Sequence, residues 1–167
     1  MTIRDSFSDD EWARIVRAPF VAGFAVTAAD PGGLIGAVQE SSAMVQSVRD
    51  AQASAPKGSL IKDLAATFMT AEGRSTAQSG LKALIKGRTP AEASAAAVAE
   101  LQATMTLLRT KAPADAAVLA QFVRDTAQNV ASAAREGTFL GFGGEKISDA
   151  ERQTLADIDA AVADPTV

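Results

Sequence analysis

The sequence predicts an all-α fold in which four long helices form a bundle, with a short helical crossover between two pairs and an extra C-terminal helix. Three observations lead there. Alanine supplies 37 of the 167 residues, and alanine is both the best helix former and the smallest side chain that still packs. Apolar residues recur at spacings of three and four over most of the chain, and no segment alternates with period two as a half-buried strand would. Helix-start signals stand at regular intervals, with prolines beside them.

The first helix is expected over residues 9–29, opened by a capping box of Ser8 and Glu11, with Trp12, Ile15, Val16, Phe20 and Phe24 on one face. Pro19 should kink or split it. The second, residues 31–54, starts at Asp30-Pro31 and carries Leu34, Val38, Val45 and Val48. Two shorter helices follow at 60–72, behind Ser59, and at 76–86. Thr89-Pro90 with Glu92 opens a helix over 90–111, striped by Val98, Leu101, Met105 and Leu108. Pro113 opens the next, 113–136, with Leu119, Phe122, Val123, Thr126 and Val130. Ser148 and Glu151 cap the last, 149–163, which carries Leu155, Ile158 and Val162 and should pack on the outside of the bundle. An irregular multi-helix globule is the alternative, because Pro19 and the short helices interrupt an up-and-down design. The expected core includes Trp12, Phe20, Phe24, Leu101, Leu119 and Phe122, all within one domain.

Composition restricts function by exclusion. The chain has no histidine, cysteine or tyrosine, so Ser-His-Asp and Cys-His catalysis, imidazole or thiolate metal sites and disulfides are ruled out. Carboxylates are the remaining acid–base groups, and no EF-hand spacing appears among them. The expectation is a protein without catalytic activity and without a cofactor. A net charge of −4 gives no global attraction to nucleic acid or anionic lipid. The opening residues are polar and acidic, and no uninterrupted apolar run reaches membrane-spanning length, so a cytoplasmic protein is expected.

Three segments stand out. Residues 18–38 hold a single charge, Asp30, and read as a buried hairpin rather than a membrane dip, since each arm is too short to span. Residues 57–88 set six basic residues against two acidic ones, a local balance of +4. Lys82, Lys86 and Arg88 there are the candidate surface for an anion or an acidic partner, or a solvated face turned toward the acidic helices of a neighbour. Residues 137–146, GTFLGFGGEK, are glycine-rich but follow a helix and lack the Gly-Lys-Ser/Thr ending of a nucleotide loop. Phe139, Leu140 and Phe142 in that loop are candidates for a buried lid or for an exposed recognition knob.

Two stretches, FSDDEWARIVRAPFVAGFAVTAADPGG and REGTFLGFGGEKISDAERQTLADI, resemble a family of small, uncharacterised, all-helical bacterial proteins of similar length. That resemblance implies a bacterial origin and brings no function with it. Val21–Asp30 and Val123–Glu151 are also similar in pattern to TerB-like tellurite-resistance domains, which are helical and repeat a helix, an acidic loop and a helix. This second likeness implies a carboxylate site for a divalent metal. Asp30-Pro31-Gly32-Gly33 departs from it by lacking the acidic cluster, and the later loop carries FLGFGG instead.

The leading expectation for function is a helical interaction or assembly module, associating with itself or with another protein. A carrier of an apolar small molecule or lipid between the helices is the alternative, and a carboxylate metal site of TerB-like type is the third.

Overall fold

The computed structural model describes residues 3–29, 37–136 and 147–163. Among the described residues, a 3-10 turn (Ile3–Ser6) precedes seven α-helices: α1 (Asp9–Ala29), α2 (Ala37–Ser54), α3 (Leu60–Met69), α4 (Ala71–Ile85), α5 (Pro90–Lys111), α6 (Pro113–Glu136) and α7 (Asp149–Val162). Among the described residues there is no strand.

Local chemistry sets the helix starts. At α1, Ser8 N donates to Glu11 Oε2 (2.8 Å) and Glu11 N donates to Ser8 Oγ (3.3 Å). Reciprocal capping boxes open α5, from Thr89 and Glu92, and α7, from Ser148 and Glu151. Each satisfies amides that the first turn leaves without helical partners. Ser59 caps α3, and Pro90 and Pro113 take the first positions of α5 and α6, where a missing N–H is harmless. Gly87, at φ +76°, takes the left-handed conformation just beyond α4.

Two local expectations change. Pro19 lies inside α1, and the helix continues through it. Ile15 loses one amide partner, but both residues are buried, and packing on all sides outweighs local propensity. The break between the short helices falls at Thr70 rather than after residue 72. This one residue ends α3, with its N–H donating to Thr67 O, and begins α4, with its hydroxyl accepting from Gly73 N (2.9 Å).

The all-α class stands and a bundle arrangement fits it, but among the described residues there are seven helices rather than four long ones with a crossover, and the last is not outside the core. α1 is the hub and touches every other helix. The last helix is part of the core: Ile158 and Val162, each 1% exposed, face inward where α7 packs on α5, α1 and α6. The centre of α1 is lined by Ile15, Ala18, Val21, Ala22, Ala25 and Val26, all buried, and Ala93 and Ala97 are buried on α5. Small side chains at such positions let helix axes approach closely.

That crowding also reassigns the aromatic residues. Trp12, Leu101 and Leu119 belong to the core, as expected, but Phe20, Phe24 and Phe122 are only partly buried against it. A hub helix has room at its centre for alanine and valine, so the phenyl rings move to the seams between helices. Phe20 stacks on Phe68 of α3 with ring centroids 4.0 Å apart. The Trp12 indole N–H donates to Thr67 Oγ1 (3.1 Å), tying the start of α1 to the end of α3. Buried Thr104 and Thr126 donate their hydroxyls to the carbonyls of Glu100 and Phe122 four residues back, so neither adds an unmet polar group to the core.

Candidate functional site

α2 and α6 pack along each other, and the chain between α2 and α3 completes a groove of about 710 Å³ beside them. Ala51 comes from α2, Ala55 and Pro56 from the connection, Ile61 from α3, and Ala117, Val118 and Phe122 from α6. Val118 is 48% exposed, one of two large apolar side chains left so open among the described residues. It sits beside Leu119, which is fully buried, so α6 is apolar on two faces about 100° apart.

The polar groups of the groove are ordered. Asn129 Nδ2 donates to Ser47 Oγ (3.2 Å), and Ser47 Oγ donates to Ala43 O (3.0 Å), bridging the two helices. The carboxylates are Asp50 and Asp125, each accepting from a glutamine four residues earlier: Gln46 to Asp50 (2.7 Å) and Gln121 to Asp125 (2.8 Å). No lysine or arginine lines the groove among the described residues. It is an apolar trough with a negative edge.

The basic surface lies elsewhere. Lys82, Lys86 and Arg88 are all exposed, on α4 and the turn after it. Arg88 is engaged locally: its guanidinium donates to Leu84 O, and its charge helps hold the Glu92 carboxyl below the ordinary range, after the backbone and hydroxyl bonds from Thr89. Lys82 and Lys86, one turn apart, remain as the outward pair. Phe139, Leu140 and Phe142 lie outside the described residues, as does the second arm of the expected apolar hairpin through residue 36. The first arm, from Ala18 to Ala29, runs through the core of α1. No described helix is long and apolar enough to cross a membrane.

The sequence reading missed the groove. Its signal was Val118, which falls one position off the α6 stripe of Leu119, Phe122, Val123, Thr126 and Val130. Two faces of one helix can be apolar for one partner or for two, and the spacing does not distinguish them.

A second cleft, also about 710 Å³, lies between α1 and α4 and is lined by Asp10, Glu11, Arg14, Arg17, Ser75, Thr76 and Ser79 among others. Glu11 there accepts from Lys111 Nζ (2.6 Å) as well as from Ser8 N. The lysine, then the backbone bond, holds its carboxyl below the ordinary value of 4.5. A carboxyl depressed in the folded state stabilises the fold above its unfolded pKa, and that contribution is lost as pH falls through the folded value. The difference in thermal midpoint between the parent and a Glu11→Gln variant is therefore expected to shrink as pH falls from about 5 to about 3. A difference that grows on acidification would contradict this. Asp115 has the opposite sign, since burial raises its pKa and its protonation favours the fold.

Among the described residues, no group of three or more carboxylates converges in a way that could hold a metal ion. No protein-family model, curated protein or solved structure matches the chain. The functional reading rests on the two clefts.

Proposed function

We propose that this protein is a non-catalytic helical interaction module that self-associates, the α2–α6 groove of one copy receiving α4 of another. The observation that carries the reading is the groove itself, an apolar trough with Val118 48% exposed and no cation in its lining among the described residues. Charge complementarity favours a second copy as occupant. Asp50 and Asp125 stand at the groove, while Lys82 is exposed on α4 and Lys86 at its C-terminal cap, in the one basic segment of an acidic chain.

A contact between two different patches is heterologous, so it builds a ring or an open chain of subunits rather than a two-fold dimer. A groove of this size gives a small interface, for which micromolar association and sensitivity to salt are expected. Sedimentation velocity tests it directly. Val118→Asp places a third carboxylate in the trough and should return the species to monomer mass, as should Lys82→Glu with Lys86→Glu. Combining that lysine pair with Asp50→Lys and Asp125→Lys should restore association. A strict monomer at high micromolar concentration and low salt for the unmodified chain would refute the proposal.

The groove's volume and apolar wall also support a second reading, a carrier of an apolar small molecule, because ligand sites commonly enclose about 300–1,000 Å³. Native mass spectrometry of freshly purified protein separates the two. A bound small-molecule mass on the monomer favours the carrier, and multiples of the chain mass favour assembly.

A further inference from the structure

The α1–α4 cleft has a different chemistry from the groove. Trp12 is tied to Thr67 just ahead of α4, and Arg17 lies against Gly80 within α4, so the two helices run side by side in the same direction. Asp10, Arg14 and Arg17 follow one another along α1 at spacings of four and three and line one wall, facing the hydroxyl residues Ser75, Thr76 and Ser79. Asp10 therefore stands about 6 Å along the axis from Arg14 and about 10 Å from Arg17. One end of the cleft is acidic and the other basic.

At the basic end, charge and hydrogen bonding are both incomplete. Arg14 Nε (3.0 Å) and Arg17 Nη2 (2.5 Å) approach the same oxygen of Glu100, which is only 12% exposed. One carboxylate thus serves two guanidinium groups. Arg17 Nε is buried with no hydrogen-bond partner among the described residues. Buried donors without acceptors are rare in folded proteins, and each calls for an explanation such as strain, an ordered water or an ion. Gly80 makes room for this side chain, since a Cβ there would stand 2.9 Å from Arg17 Nη1 and 3.1 Å from its Cδ. At the acidic end Glu11 is taken up by Lys111, whereas Asp10 is exposed and forms no ion pair among the described residues.

We propose that this cleft binds a small zwitterion, a soluble molecule with an oxyanion and a cationic nitrogen a few bonds apart. The oxyanion lies at Arg14, Arg17 and the α4 hydroxyls, and the nitrogen lies at Asp10. A simple anion meets repulsion from Asp10 and Glu11, and a simple amine meets two arginines, so the bipolar wall selects the molecule that carries both charges. The cleft lies between α1 and α4, apart from the α2–α6 groove, although Ser75 and Ser79 share the α4 stripe of Lys82 and Lys86.

Titration calorimetry with four probes tests the proposal: phosphoethanolamine and γ-aminobutyrate as zwitterions, inorganic phosphate and ethylamine as the separate halves. At least one zwitterion is expected to bind about tenfold more tightly than either half. Arg17→Lys keeps a cation for Glu100 but removes Nε, and should weaken zwitterion binding by about tenfold. Asp10→Asn should bring zwitterion binding down to the level of phosphate without weakening phosphate itself. Circular dichroism and the thermal midpoint confirm that each variant is folded. If neither zwitterion binds more tightly than phosphate, or if binding is unchanged in both folded variants, the proposal is wrong. Gly80→Ala gives an independent check: it pushes the guanidinium away from α4 and should weaken zwitterion binding with little change in oligomer mass.

Discussion

Ile15→Ala is expected to destabilise the protein by about 2–5 kcal/mol, which for a chain of this size lowers the thermal midpoint by roughly 10 °C. Ile15 is 0% exposed and lies on the face of α1 that the other helices surround. Truncation there removes the transfer free energy of the lost methyl and methylene groups and leaves a cavity that neighbours on several sides cannot all move to fill. Phe24→Ala is the informative comparison. Phe24 has the larger side chain, but it is only partly buried at a seam, so its loss should cost less than that of Ile15. Urea denaturation of both variants measures the ordering. A Phe24 variant less stable than the Ile15 variant would contradict the hub description of α1.

Gly73→Ala is expected to cost about 3 kcal/mol, although it adds only one methyl group. A Cβ at Gly73 would stand 2.0 Å from Thr67 O and 2.7 Å from Thr67 C. Both are backbone atoms, so no side chain can rotate away to relieve the clash. The corner between α3 and α4 has to open, and opening it pulls Thr70 from the two helix ends it caps. Losing a cap alone is worth about 1 kcal/mol. Gly80→Ala is the control, because its nearest contact is the flexible end of Arg17, and a change of less than about 1 kcal/mol is expected there. Equal destabilisation by the two substitutions would show that the corner is not the source of the effect.

Much of the secondary structure was legible in the sequence because it is fixed by local chemistry. Ser8 with Glu11, Thr89 with Glu92 and Ser148 with Glu151 mark helix starts through hydrogen bonds within three residues of each other, and all three boxes form. Pro90 and Pro113 add a backbone constraint at the same scale. The arrangement of helices was less legible, because it depends on which stripe faces which. Ile158 and Val162 are visible as a stripe, but nothing along the chain says that α5, α1 and α6 leave a place for it. The aromatic residues misled for a related reason. Large apolar side chains suggest the centre of a core, yet the most crowded helix admits mainly alanine and valine there, and Phe20 and Phe24 sit at its edges.

The two clefts lay further from reach. Asp50 and Asp125 are 75 positions apart in sequence, and Arg17 and Glu100 are 83 apart. Each of these residues reads as an ordinary surface charge on its own helix. The basic character of Lys82 and Lys86 was readable, since it depends only on composition over a short window, but Arg88 turned out to serve its own turn.

The central position of α1 also sets an order of events during synthesis. Lys111, which bonds Glu11, is made 100 residues after it, and α7, which closes over the same core, comes later still. At the usual elongation rate of about 5–20 residues per second, α1 waits roughly 5–20 s before α5 is complete. Until α5, α6 and α7 are made, α1 has only α2, α3 and α4 to pack against, so the segment that organises the molecule is one whose cover is completed late.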